Sequence, residues 1–271
     1  MKNTKKKVGL ALSGGGWRGL AHVGVLKALE ENNIPIDFIA GTSAGALVGG
    51  LYSYFGNVKD LEEFVKNFGY KELFKIVADP KLKNGILKGE KLINYLNEIT
   101  KNANIEDLKI PFKAVSTNLI TGKSYYFEKG NLAEAIKASV SIPLLFNPTQ
   151  KDGMLLIDGG ATENVPVICA KEMGTKFLIA CSVNTAYFPL KETQVTSPGK
   201  IGLVSARVLL NTLSDMLAAQ ADVVIEPKIT QDNISMGVGY FLEFVKEKDT
   251  IKVGEEAALK KIDKIKKKLE I

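Results

Sequence analysis

The chain has one histidine and two cysteines among 271 residues. A single histidine leaves at most one imidazole for acid–base work, and neither a metal nor a cofactor site is expected. Cys169 and Cys181 have neither metal-ligand spacing nor the density of a disulfide framework, which fits a reducing cytoplasm. Long apolar runs are also missing. No stretch approaches the roughly 20 apolar residues of a spanning helix, so any membrane contact is expected to be peripheral. The basic start precedes an apolar run far shorter than a signal-peptide core, and no secretion signal is expected.

What is present is an ordinary globular composition, 45% apolar and 24% charged, with 25 glycines and 9 prolines. One domain covering 1–271 is the expectation, with a motif-bearing core at about 8–227 and a helical extension at 228–271. The net charge of +6 comes largely from lysines near the two ends. Such a surface attracts anionic lipid and nucleic acid alike and decides between them for neither.

Strand and helix patterns alternate along the chain. Residues 8–12 form an apolar run that ends in glycines, and Leu20, Val23, Leu26 and Leu29 then recur at helical spacing. Residues 34–40 read as a second buried strand, followed by Gly41-Thr42-Ser43-Ala44-Gly45 and a small, apolar helix. Residues 112–117 and 123–127 read as a strand pair. Further strands are predicted at 154–157, 176–183 and 222–226, and the longest polar connection at 187–200, with Pro189 and Pro198. The carboxyl end carries an amphipathic stripe of Leu259, Ile262, Ile265 and Leu269. The pattern predicts an α/β fold of three layers, with a mainly parallel central sheet between helices.

Gly41–Thr42–Ser43–Ala44–Gly45 is a G-x-S-x-G sequence where a strand turns sharply into a helix, which lifts a serine hydroxyl out of the sheet. Taken alone it is equally a turn with serine as an N-cap. The loop Gly14-Gly15-Gly16-Trp17-Arg18-Gly19 offers a row of backbone N–H groups at the start of another helix. An acyl-transfer enzyme needs such donors for its oxyanion. Gly14, Gly16 and Gly19 also match the dinucleotide fingerprint, with Asp37 near the distance of a ribose-binding acid; that reading leaves Ser43 and Asp158 unexplained.

A triad would have to use His22, which lies inside the first helix close behind the glycine loop and reads as a packed histidine. Asp158 is the better candidate for a base. It ends the apolar strand 154–157 and precedes Gly159-Gly160, which permit close approach. Burial would raise its pKa toward a useful range. By itself it is equally an Asx-turn aspartate.

These three blocks resemble the patatin-like phospholipases, whose pattern is a glycine-rich oxyanion loop, then G-x-S-x-G, then a distant D-G-[AG]. Gly14–Gly19 with His22 matches the first, Gly41 to Gly45 the second, and Asp158-Gly159-Gly160 the third; residues 138–143 resemble the small-residue segment before the last. The resemblance implies a patatin-like fold, a Ser43–Asp158 dyad and no metal. It implies an oxyanion held by N–H groups of Gly15 and Gly16 with help from Ala44. The expected substrates are fatty-acyl esters of phospholipids or lysophospholipids. Other expectations are an esterase or thioesterase of the same mechanism, or a catalytically silent lipid-binding regulatory protein. The expected partners are lipid or acyl-ester substrate and an anionic membrane touched peripherally from the cytoplasm, not nucleic acid. Tyr52, Tyr54, Phe55, Phe64, Phe68, Tyr70 and Phe74 are candidates for an acyl groove or cover, though aromatic residues at helical spacing are more often core. Residues 88–91 and the 187–200 connection are candidates to touch a head group.

Overall fold

The computed structural model describes residues 6–77, 85–183, 197–229 and 238–271. The first half runs β1 (Val8–Leu12), α1 (Ala21–Glu31), β2 (Phe38–Thr42), α2 (Ala44–Phe55), α3 (Val58–Asn67), α4 (Tyr70–Val77), β3 (Gly85–Leu87) and α5 (Glu90–Thr100). The middle continues with β4 (Phe112–Asn118), β5 (Lys123–Phe127), α6 (Leu132–Ser139), β6 (Leu144–Phe146), β7 (Thr149–Lys151) and β8 (Met154–Asp158). Then follow α7 (Gly160–Glu163), α8 (Val167–Glu172), β9 (Phe177–Cys181), α9 (Pro198–Ala218), β10 (Val223–Ile225), α10 (Val238–Lys246) and α11 (Thr250–Leu269).

The central sheet has the order β10-β9-β1-β2-β4-β8-β7, with β5 also paired to β4; β3 and β6 form a separate parallel pair. β10, β9, β1, β2 and β4 are parallel, and β5, β8 and β7 are joined antiparallel. Strands buried on both faces are apolar throughout, and alternate residues serve different layers. In β1, Val8, Leu10 and Leu12 pack with α1, α2 and α11, whereas Ala11 packs with Val167 and Ala170 of α8 and Leu217 of α9. The expected three-layer α/β/α architecture is present.

Three expectations need correction. β2 starts at Phe38, not at residue 34, because Asp37 is engaged elsewhere. Its carboxylate accepts the Val8 N–H at 2.7 Å and caps the start of β1. Pro198 does not belong to a loop. It opens α9, where a proline's missing N–H costs nothing, and the Ser197 hydroxyl accepts the Lys200 N–H; the preceding residues 187–196 lie outside the described residues. An apolar stretch of spanning length does exist, since α9 is long and apolar enough to cross a membrane by length and composition. Here it is the crossover helix between parallel strands β9 and β10.

The carboxyl-terminal α11 is part of the core. It crosses α1 so closely that a Cβ on Gly24 would lie 1.9 Å from the Ile251 carbonyl, and one on Gly254 1.9 Å from that of Ala21. Its buried line is Thr250, Gly254, Ala258, Ile262, Ile265 and Leu269, while Leu259 stands one position off that line and is 48% exposed.

Candidate active site

The register of β4 brings the two candidate residues together. β5 covers one side of β4 from Ala114 to Asn118, so β2 and β8 must share the other. β2 runs up that lane and its last residue, Thr42, stands opposite Val115; β8 runs down it and its last residue, Asp158, stands opposite Ser116. The two strands meet end to end, with Ser43 the next residue of one and Asp158 the last of the other. The Ser43 side chain reaches the Asp158 carboxylate, and its hydroxyl acts to lower that group's pKa. The sequence placed Asp158 at the end of a strand in a mainly parallel sheet, and the antiparallel direction of that strand was not legible in it.

The turn into α2 holds Ser43 at φ 53°, ψ −119°, a region that costs a non-glycine residue about 1–3 kcal/mol and persists only when neighbours enforce it. The enforcing contacts can be named. The Ser43 N–H donates to Ser139 Oγ at 2.8 Å, and that hydroxyl donates onward to the Val115 carbonyl at 2.6 Å. The Thr42 hydroxyl donates to the Glu163 carbonyl at 2.7 Å. A Cβ on Gly45 would lie 2.1 Å from the Leu12 carbonyl, and one on Gly41 2.5 Å from that of Gly45, so both outer glycines of the turn are sterically required.

Asp158 is fixed from both sides. Its N–H donates to the Ser141 carbonyl, and its Oδ1 accepts the Gly160 N–H at 2.8 Å. Burial raises its pKa to about 6, against the opposing pull of the Ser43 hydroxyl and the Gly160 N–H. Gly159 touches the nucleophile turn, where a Cβ would meet the Val115 carbonyl at 2.4 Å and the Thr42 side chain at 3.1 Å.

The glycine loop lies over Ser43, but its members act differently. The Gly14 N–H donates to the Asn164 carbonyl at 3.0 Å, so Gly14 anchors the loop instead of supplying an oxyanion donor. Arg18 Nε donates to the Gly15 carbonyl at 3.1 Å and braces the loop. Gly19 makes room for α2, since its Cβ would lie 2.4 Å from that of Ala44. Gly16 borders the same pocket as Ser43 and Ala44.

His22 is fully buried with both ring nitrogens engaged, Nε2 with the Ser13 carbonyl at 2.8 Å and Nδ1 with Cys181 Sγ at 3.2 Å. A carbonyl only accepts, so Nε2 carries the proton and Nδ1 accepts from the thiol. Burial lowers its pKa to about 4, and it is neutral at pH 7. Asp37, at the other end of β1 from the glycine loop, cannot serve a ligand held by that loop. The dinucleotide reading falls with it.

Sequence reasoning missed Ser139, Glu163, Asn164 and Ser214. Glu163 accepts the Tyr126 hydroxyl and the Cys169 N–H, and burial raises its pKa. The Asn164 amide donates to Ser214 Oγ of α9 at 2.7 Å. The segment at 138–143 stood out in the sequence, but nothing in its spacing said which serine reaches the turn.

An apolar cavity of about 90 Å³ opens beside Ser43, walled by Leu47, Phe68, Leu73, Ile76, Ile142 and Phe146 among others. A second, of about 80 Å³, continues from it along α2 past Phe64 and Tyr95 and shares Ala44, Leu47, Phe68 and Ile76 with the first. Of the seven aromatic candidates, Phe64 and Phe68 line this space. Tyr52 is buried with its hydroxyl on Glu30, Tyr54 and Phe55 pack against the core, and Tyr70 and Phe74 are exposed. Of residues 88–91, Lys88 faces Glu90 at 3.9 Å. Among the described residues no cluster of three or more His, Cys, Asp or Glu could hold a metal.

A buried Ser–Asp pair on an α/β sheet, under a glycine loop and beside an apolar cavity, defines a class of site, and the comparisons agree with it. Residues 10–170 match the model of the patatin-like phospholipase family, and the chain belongs to that family. It is 38% identical over 183 residues to an uncharacterised NTE family protein of Mycobacterium tuberculosis, covering 67% of this chain and 50% of that protein. It is 36% identical over 185 residues to the lysophospholipase NTE1 of Debaryomyces hansenii, covering 67% of this chain and 12% of that one. The chain thus spans half or less of the length of these curated relatives. VipD from Legionella pneumophila shares the fold, with a TM-score of 0.51 at 16% identity over 96% of this chain and 67% of VipD.

Proposed function

We propose that this chain is a serine acyl hydrolase that cleaves fatty-acyl esters of phospholipids or lysophospholipids, with Ser43 as nucleophile and Asp158 as proton acceptor. The observation that carries the reading is the end-to-end meeting of β2 and β8, which sets Ser43 beside a buried carboxylate whose pKa is raised to about 6, next to an apolar cavity. Such a carboxylate is ionised at pH 7 and still basic enough to take a proton in the transition state. Ser43 Oγ attacks the acyl carbonyl as its proton passes to Asp158. The oxyanion is held by N–H groups of Gly15, Gly16 and Ala44, the last at the positive end of α2. Collapse breaks the ester bond, and Asp158 returns the proton to the departing alcohol. A water, deprotonated by Asp158, then hydrolyses the acyl-enzyme.

The family and the lysophospholipase name of a relative support lipid esters as substrates. The apolar lining supports a long acyl chain over the small acyl group of a simple esterase. Two buried free thiols support a reducing cytoplasm as the place of reaction.

Labelling with a fluorophosphonate, located by peptide mass spectrometry, tests the reading. We expect label on Ser43, none on Ser43→Ala, and turnover of lysophospholipid well above that of a short-chain ester. Folded protein that takes no label and turns over no acyl ester would instead be a lipid-binding regulator.

A further inference from the structure

α9 wears its polarity inside out. A surface helix usually turns its apolar stripe toward the core and its polar side to water. In α9 the polar side chains of Asn211 and Ser214 are buried, while Ile201 is 52% exposed and Leu209 71%. Its position gives this inversion a meaning. Leu217 and Ala218 pack on the sheet, Ser214 bonds Asn164, and a Cβ on Gly160 would touch Leu210 at 3.3 Å. The helix is therefore level with the Ser–Asp pair at about Leu210. Before Asn211 no residue of α9 is buried. Because α9 leads from the carboxyl end of β9 back to the start of β10, its first twelve residues, about 18 Å of helix at 1.5 Å per residue, lie toward the edge of the sheet that carries Ser43, with Leu203, Val204 and Arg207 half-buried.

The same edge carries other bare apolar groups. β4 overruns the pair, and its turn into β5 presents Leu119 at 52% and Ile120 at 73% exposure. Phe74 stands between the cavity-lining Leu73 and Ile76, and Leu144 between the cavity-lining Ile142 and Phe146; both are exposed. The two described stretches that lead this edge carry charge of one sign. Residues 197–214 hold Lys200 and Arg207 and no carboxylate, and residues 118–127 hold Lys123 and no carboxylate. On the neighbouring turn Asp152 is matched by Lys151 at 3.5 Å.

We propose that this edge docks on a lipid bilayer containing anionic lipid. The amino-terminal half of α9 and the β4–β5 turn enter the interface and bring the cavity mouth to the membrane. Apolar side chains flanked by cations suit that surface, whereas two copies of the same edge would oppose like charges. The purpose of the docking rests on the acyl-hydrolase reading; its geometry does not.

The test is co-sedimentation of the full chain with vesicles of phosphatidylcholine, with and without phosphatidylglycerol. The wild type binds the mixed vesicles about tenfold more tightly than the neutral ones, with salt weakening the binding. The double variant Ile201→Ser/Leu209→Ser loses binding by about tenfold or more. It keeps the melting temperature and the turnover of a water-soluble short-chain ester. A single Leu209→Trp variant shows an indole emission that shifts to the blue on adding vesicles. Double-variant binding equal to wild type overturns the proposal. So does a wild-type dimer in analytical ultracentrifugation that ignores vesicles and that the double variant splits. Vesicle binding without turnover of any acyl ester would sustain the docking and sink the hydrolase reading. Turnover of soluble ester without vesicle binding would do the reverse.

Discussion

α9 and α11 are nearly equal in length, 21 and 20 residues, and their compositions invite the wrong conclusion about each. α11 is rich in lysine and acidic residues, yet it buries a line of six residues and crosses α1 at contact distance. α9 is the most membrane-like stretch of the described residues, yet most of it stands in solvent. Burial follows from whether a narrow stripe meets a partner, not from average hydropathy. For α11 that stripe includes Gly254, which lies against the Ala21 backbone of α1. For α9 it is confined to Asn211, Ser214, Leu217 and Ala218, of which Ser214 bonds Asn164 and the last two pack on the sheet.

The comparison breaks hardest at the α1–α11 crossing. Gly254→Leu forces a side chain into the Ala21 backbone and should destabilise the fold by about 3 kcal/mol or more, as overpacking at a contact this close does. Urea denaturation followed by circular dichroism measures it. A variant of wild-type stability would mean that α11 is merely laid against α1.

On the α9 side the sharper probe is the buried acid beside it. The folded pKa of Asp158, about 6, lies above the usual unfolded value near 3.9, so the folded state holds the proton more tightly. The contribution of this group to stability therefore falls as pH rises from about 4 to 6. Asp158→Asn should be more stable than wild type at pH 7, by up to about 3 kcal/mol, with the difference vanishing near pH 4. His22 runs the other way. Its folded pKa near 4 lies below the unfolded value near 6.5, so stability is lost as pH falls through that window. The two slopes oppose each other in the wild type, and Asp158→Asn should expose the histidine's alone. Activity follows the carboxylate: kcat/KM should fall below about pH 6, and the variant should be inactive throughout. A bell centred on a histidine pKa near 6.5 would contradict the Ser–Asp assignment.

The smallest effect comes from the joint between α9 and the site. Ser214→Ala removes the acceptor of the Asn164 amide and leaves a buried donor unpaired, at a cost of about 1–2 kcal/mol. Since the Asn164 carbonyl also holds the Gly14 N–H, kcat should drop more than KM changes. Steady-state kinetics separate the two, and an unchanged kcat would leave Ser214 as packing only.

Much of this was legible from residues taken in order. Val8 to Leu12, the turn around Ser43 and Asp158-Gly159-Gly160 announce strand ends because glycines must stand where backbones approach, and a single histidine with no matching partner directs attention to an aspartate. The strand pair of β4 and β5 was equally plain from the residue pattern. What one dimension could not express was the lane beside β4, in which β2 and β8 arrive from opposite directions. Strand direction leaves no mark on a four-residue apolar run. Nor could it show that Gly14 gives its N–H to Asn164, or that Ser139 holds the strained turn, because those bonds join residues 96 to 150 positions apart.

The sequence by itself determined the family, the candidate pair and the layered α/β plan, since these rest on local turns and on which residue types exist at all. Tertiary structure alone decided the pKa of Asp158, the idle state of His22 and the outward face of α9. Each of these depends on what is packed around a group and what is kept from water, and distant segments supply both.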